Sequence, residues 1–225
     1  MINRYSLVAS KDKIFKSLGK LEFTNDYFLS YNISPLDHSY IITQEAQDVI
    51  QKYRWGLLPA SSRQGMNSGN LYNARSQGIV SRPSYRIPIR QKRCVVLADS
   101  FYVFDKKGQA YRVYKRDKGV ILFAGLYDQC YTGGIEQNTF TIITSPSNRE
   151  VARHHDTSPV ILEEDDMKVW LDNSSSVSHV LGFLKPNDNY TISLYKVSPE
   201  LKDKDYNNPI LHEEVVSDIT LFDLQ

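Results

Sequence analysis

The run "CVVLADSFYVFDKKGQAYRVYKRDKGVILFAGLYDQCYTGGIEQNTFTIITS", residues 94–145, decides the fold. It holds four apolar or alternating stretches: CVVLADSFYVF (94–104), AYRVYKR (110–116), GVILFAGLYDQCY (119–131) and NTFTIITS (138–145). Each is rich in β-branched and aromatic residues, which suit a pleated, half-buried surface. The breaks between them, DKKGQ, RDKG and TGGIEQN, carry the Gly and Asp that tight turns need. Short turns between strands make neighbours antiparallel, so the centre of the chain reads as an antiparallel sheet.

Outward from this centre the signals are weaker. Ser10 caps a short amphipathic helix ending at Leu18, with Ile14, Phe15 and Leu18 on one side and Gly19 as its stop. YFLSYNIS (27–34), HSYIIT (38–43) and DVIQKYRWGLL (48–58) read as strands, and SSRQGMNSGN (61–70) as a polar loop. LYNARSQGIV (71–80) is expected to form a turn or two of helix that ends before Pro83, and NREVARHH (148–155) is expected to be helical. EEDDMKVWLDN (163–173), with its acids in the first turn, and SSVSHVLGFL (175–184), with serine caps, are further helices. NYTISLYKVS (189–198) is a last strand. No repeat and no linker-like break interrupts the chain. The prediction is one α+β domain, mainly antiparallel β, around a core containing Val95, Leu122, Ala124 and Ile142. Short helices near 11–18, 163–172 and 174–184 flank it.

Composition bounds the function. The 225 residues are 41% hydrophobic and 24% charged, enough for a large core in one domain. No run approaches the roughly 18 apolar residues of a membrane span, and MINRYSLVAS lacks a signal peptide's apolar stretch. Cys94 and Cys130 form no disulfide framework, so the expectation is a cytoplasmic protein with free thiols. Net charge is +1, which indicates no polyanionic partner globally. Locally, Arg75, Arg82, Arg86, Arg90, Lys92 and Arg93 follow one another with no acid between them, and Tyr85 lies among them. Such a loop suits single-stranded nucleic acid, whose phosphates need cations and whose bases need a stacking face. A solvated loop of incidental charge is the alternative.

RHHDTSPVIL (153–162) places two histidines and an aspartate before an apolar run. Adjacent side chains on an extended chain point to opposite faces, so His154 and His155 cannot share a pocket. No second ligand cluster stands elsewhere at metal spacing, so neither a metal nor any other cofactor is expected. One histidine of the pair acting in a pocket stays open.

Seven stretches fall into one order: YNISP (31–35), RWGLLP (54–59), NARS (73–76), RCVVLADSFY (93–102), FAGLYD (123–128), TIITSPSN (141–148) and HDTSPVIL (155–162). The series resembles the SOS response-associated peptidase (SRAP) family, the abasic-site processing proteins, from Arg4 to about Asn208. Residues 209–225 would be a C-terminal extension. The resemblance implies a single mainly β domain with barrel-like sheets and a positively charged groove for single-stranded DNA. It also implies a DNA damage role with a crosslinking chemistry. A cysteine exposed at position 2 by methionine removal attacks the aldehyde of a ring-opened abasic site. Its amine forms a Schiff base and its thiolate closes a stable thiazolidine. The same cysteine carries the autopeptidase activity of the family name.

Carried over residue by residue, Asn73 and His155 match the family's asparagine and histidine. Arg4 and Arg75 match its DNA-contacting arginines, and Trp55 and Pro59 its WGLIP loop. Arg82 and Arg86 extend the basic border of the groove. The departures fall on the chemistry. Ile2 stands in place of the nucleophile and retains Met1, since methionine removal needs a small second residue. Val103 replaces a glutamate and cannot shuttle a proton. Thr157 replaces a phosphate-contacting arginine, Gln77 an acid, and Ala60–Ser61 a second tryptophan. Cys94 and Cys130 read as structural thiols. The Met1 amine could still form a reversible Schiff base. Two readings follow: weak binding of single-stranded or abasic DNA by a catalytically degenerate copy, or a scaffold for an unknown protein partner that kept only the fold. A hydrolase built on His155 has no supporting nucleophile.

Overall fold

The computed structural model describes residues 2–60, 71–186 and 191–216. Two sheets carry the fold. Their strands are β1 (Tyr5–Leu7), β2 (Glu22–Phe23), β3 (Ser30–Ile33), β4 (His38–Thr43), β5 (Val49–Trp55), β6 (Asn73–Arg75) and β7 (Arg93–Ala98). They continue with β8 (Ser100–Phe104), β9 (Ala110–Lys115), β10 (Ile121–Thr132), β11 (Ile135–Pro146), β12 (Thr157–Pro159), β13 (Ile161–Leu162) and β14 (Ile192–Lys196). One sheet runs β14-β9-β8-β1-β3. The other runs β12-β11-β10-β7-β4-β5-β2, and an added β5–β11 pairing closes β11-β10-β7-β4-β5 on itself. The result is the mainly antiparallel, barrel-like architecture with short helices that the sequence predicts.

The central hairpins form because their apolar runs are long and their turns short. Gly125 pairs with Ile142 across β10 and β11, and Thr132 with Ile135 at the turn. Gly125 is required where it stands: an added Cβ would lie 2.9 Å from both Cys94 Sγ and the Thr141 carbonyl. Val95, Leu122, Ala124 and Ile142 are all buried, in a core cluster that also takes Tyr5, Leu7, Phe101, Val103 and Ile192 from the other sheet. Both sheets therefore pack on shared apolar side chains.

The helices flank this body. α1 (Lys11–Leu18) has Ser10 as N-cap and Gly19, at φ 82°, as its stop, where glycine pays no steric penalty. α2 (Pro88–Gln91) is a single turn. α3 (Glu164–Leu171) and α4 (Val177–Leu181) lie within the stretches read as helices, the second much shortened. Two expectations are corrected. The stretch 71–80 is not helical; Asn73–Arg75 is a strand, paired in parallel with Ile142–Thr144. Its backbone bonds to an exposed edge of β11, and that tertiary pairing overrides a local helical tendency. NREVARHH holds only one 3-10 turn, Val151–Arg153, because the chain must turn back to lay β12 along β11. The loop read at 61–70 lies outside the described residues.

Arg93 joins three elements. It is fully buried with no carboxylate at ion-pair distance among the described residues, and its guanidinium donates to four carbonyls: Trp170 at 2.6 Å, Asp172 at 2.8 Å, Arg90 at 3.0 Å and Ile89 at 3.2 Å. These belong to the ends of α2 and α3, where helical carbonyls lack intrahelical donors. One cation thus satisfies the termini of two helices at once.

Candidate functional site

β11 is flanked by two short strands that carry the sequence-predicted residues. On one side, Asn73 pairs with Ile142 and Arg75 with Thr144; on the other, Pro159 pairs with Thr144 and Thr157 with Pro146. Asn73 donates its side-chain Nδ2 to the Ile2 carbonyl at 2.7 Å, fixing the N-terminal segment against β6. Its Oδ1 is buried without a hydrogen-bond partner, an acceptor whose desolvation has a cost. Tyr85 donates its hydroxyl to the Asn73 carbonyl at 3.3 Å and is buried.

His155 sits just past the 3-10 turn. Its Nδ1 lies 2.9 Å from the Thr157 carbonyl and 3.2 Å from the Thr157 N–H. Burial is the largest cause that holds its pKa below the usual histidine value, favouring the neutral ring. His154 faces elsewhere: its ring stacks on Tyr111, with centroids 4.1 Å apart. The pair therefore divides, but through the turn at His154, whose backbone is αR, and not through the alternation of an extended chain.

The basic stretch divides too. Arg93 is internal, and Lys92 is engaged by Asp128 in an ion pair at 2.5 Å. Arg75 and Arg86 are exposed and Arg82 is half-buried. Among the described residues none of these three has an acidic partner within ion-pair distance. Arg4 is turned toward the chain's C-terminal part, donating to the carbonyls of Asn3 at 2.7 Å and Lys202 at 3.5 Å. Two aromatic expectations are corrected. Trp55 is fully buried, with its indole N–H on the Tyr72 carbonyl at 2.8 Å and its ring packed edgewise on Tyr5. Tyr85 is likewise internal, so neither ring offers a face to a base.

The comparisons with known proteins agree in one direction. The family model described as SOS response associated peptidase (SRAP) matches residues 1–204. The chain belongs to the SRAP family. It is 31% identical over 222 residues to the abasic site processing protein YoqW of Bacillus subtilis (strain 168), covering 95% of this chain and 99% of that protein. It is 28% identical over 229 residues to the abasic site processing protein HMCES of Mus musculus, covering 81% of this chain and 64% of that protein. A solved structure of a protein from Bacteroides thetaiotaomicron superposes with TM-score 0.84 at 26% identity, over 95% of this chain and 99% of that one. A protein from Bordetella bronchiseptica shares the fold at TM-score 0.76 and 18% identity, over 87% of this chain and 99% of that one.

Within this SRAP chain three of the positions that depart from the resemblance, Ile2, Val103 and Thr157, are hydrocarbon or carry an unpartnered hydroxyl. Ile2 is buried at 1% exposure and Val103 at 1%, both in the main core cluster. Thr157 keeps a buried Oγ1 with no hydrogen-bond partner. Met1 lies outside the described residues. Cys94 is buried, and burial raises its pKa well above the usual thiol value, which suppresses the thiolate. Cys130 is only partly buried, near the outer end of β10. The role of Asp128 escaped the sequence reading, and Tyr85 was read as a surface ring rather than as the donor to the Asn73 carbonyl. Asp128 holds both Lys92 and the Ala60 N–H. Its sequence signals were an acid inside an apolar strand and its place at the end of FAGLYD.

Proposed function

We propose that this SRAP protein binds single-stranded or abasic-site DNA reversibly, in the service of DNA damage processing, without forming the family's permanent crosslink. The observation that carries this reading is the set of arginines, Arg75, Arg82 and Arg86, that follow Asn73 in the chain and have no acidic partner among the described residues. Uncompensated cations at the surface attract phosphates and release condensed counterions. Asn73, with an unpartnered buried Oδ1 beside Ile2, supplies a polar group where the family resemblance places its reaction centre.

The loss of covalent chemistry rests on Ile2 and Val103. A thiazolidine needs an amine and a thiol on one residue, and an isoleucine side chain supplies no sulfur. An imine formed by the terminal amine alone would hydrolyse back. Burial lowers the pKa of His155 and so favours the neutral ring, which can accept a proton; a reversible imine is compatible with the site.

The test is an incubation with single-stranded DNA carrying one abasic site. No adduct should survive denaturation and heat, whereas borohydride should trap any imine. In parallel, affinity for an oligonucleotide should fall with salt, with a log–log slope of about 0.7 per phosphate neutralised and about three phosphates in all. Arg75→Ala should weaken binding to all sequences alike and lower the slope by roughly one contact. A heat-stable adduct without reductant would overturn the loss of catalysis. Affinity that ignores salt would leave the fold as a scaffold for a protein partner.

A further inference from the structure

The five-stranded sheet has a second face, and a cavity of about 330 Å³ opens on it. Ladder register sets the sides. Val103 pairs with Tyr111 and belongs to the main core, whereas Arg112 pairs with Tyr102 and Tyr195 on the opposite face. The cavity is therefore separate from the Asn73 site.

Arg112 is its centre. Its Nε donates to Ser100 Oγ at 2.9 Å and its Nη1 to the Tyr195 hydroxyl at 2.6 Å. The guanidinium also lies beside two rings, 5.1 Å from the Tyr114 centroid and 5.8 Å from that of Tyr195. All of these partners are neutral, and among the described residues no carboxylate pairs with Arg112. Lys13 and Lys118 line the same cavity, and they too have no acidic partner among the described residues. The one acid in the lining, Asp99, is consumed from behind: its Oδ1 accepts from Ser6 Oγ at 2.6 Å and its Oδ2 from the Val8 N–H. Three cations against one engaged carboxylate leave two positive charges in surplus.

The cluster could be mistaken for a nucleophilic triad. Ser6 Oγ lies 3.0 Å from His212 Nε2, and Asp99 stands beside it. However, the aspartate bonds the serine and not the histidine, and Ser6 and Ser100 are wholly buried. No substrate reaches either hydroxyl. The network instead holds Arg112 rigid: Ser6 and Ser100 meet at 2.5 Å, and Tyr195 donates its hydroxyl onward to the His212 carbonyl at 2.6 Å.

A guanidinium fixed by neutral groups and left with an unsatisfied fork nitrogen is preorganised for an oxyanion. We infer that this cavity binds the phosphate group of a small ligand, with Arg112 as its principal contact and Lys13 and Lys118 as flanking charges. Two surplus charges match a phosphate dianion better than a carboxylate. The cavity volume lies at the small end of the range for organic ligands, which sets an upper size near that of a mononucleotide. Nothing in this inference depends on DNA binding at the Asn73 site.

Calorimetric titration at low salt with inorganic phosphate, AMP and adenosine tests it. Wild type and Arg75→Ala should bind AMP or inorganic phosphate, and the tighter of the two identifies the source. Adenosine should not bind. Arg112→Gln should weaken phosphate or AMP binding at least tenfold. Lys118→Gln, at an exposed position, should weaken it severalfold with an unchanged melting curve, which guards against a folding artefact in the first variant. Absence of binding by both phosphates would overturn the inference. So would binding that survives both Arg112→Gln and Lys118→Gln, or that disappears in Arg75→Ala.

Discussion

At Trp55 the side chain acts through packing. The indole is internal, its N–H held by the Tyr72 carbonyl immediately before Asn73. Trp55→Phe keeps most of the volume but loses that hydrogen bond and the packing of the larger ring, while the Tyr72 carbonyl keeps the Ile142 N–H as its donor. We expect a stability loss of about 1–3 kcal/mol and an unchanged salt slope for single-stranded DNA. Unchanged thermal stability with lost affinity would instead put the indole on the nucleic acid. His212 gives a second residue-scale prediction. Burial first, and then the neighbouring charge of Arg112, push its pKa down to about 3; Tyr31 packs edgewise on the ring, and Ser6 and Ser100 face its Nε2. Between about 3 and the ordinary value near 6.5, the unfolded chain holds a proton that the folded chain does not. Stability should therefore fall as pH drops through that window, by an amount on the order of a few kcal/mol, with His155 adding in the same direction. Melting curves from pH 7 to 4 should show a smaller drop for His212→Gln than for wild type. Parallel curves would remove His212 as the cause.

Among the elements, Arg93 is the joint between β7, α2 and α3. Arg93→Met would take the side-chain donor from the Trp170, Ile89 and Arg90 carbonyls, while the Asp172 carbonyl keeps the Ser175 N–H. Denaturant unfolding should register a loss of about 1–3 kcal/mol or more, the cost of leaving buried carbonyls without a donor. A loss below about 1 kcal/mol would mean that water replaces the guanidinium. The same residue shows what a sequence can and cannot reveal. The strands of 94–145 were legible because their apolar runs and turns are local signals. α1 was legible from Ser10 and Gly19 alone, since caps act within one turn. Arg93 read as one more cation of a basic loop, because its carbonyl partners lie up to 79 residues away. Residues 71–80 read as helix for the same reason: the β11 edge that captures Asn73–Arg75 is remote in sequence. At the site, Asn73 and His155 came from resemblance and alternation, whereas the burial of Trp55 and Tyr85 depends on packing that no short motif encodes.

On the scale of the molecule, both sheets contribute to one core cluster. Unfolding should therefore be a single cooperative transition, as for a chain organised as one domain. The stretch beyond the family match, which ends at residue 204, tests how far that unit extends. Asn208 caps the 3-10 turn Pro209–His212, and Leu211 is fully buried against the outer face of the five-stranded sheet, beside Tyr102 and Val197. Val215 donates its N–H to the Lys196 carbonyl at 2.9 Å, tying the following residues to β14. Ending the chain after Asn208 would expose Leu211's pocket, worth about 2–3 kcal/mol of apolar burial. It would also remove the His212 contacts to Ser6, Tyr31 and Tyr195. Calorimetry should then show one transition still, at a melting temperature lower by roughly 6–15 °C for a loss of about 3–4 kcal/mol. Salt-dependent affinity for single-stranded DNA should persist, because among the described residues no hydrogen bond or ion pair joins Arg75, Arg82 or Arg86 to residues 209–216. A truncated chain that melts like the full one would make the segment an appendage. One that loses DNA affinity while staying folded would place the C-terminal turn in the binding surface, and the reading of the arginines would have to be redrawn around it.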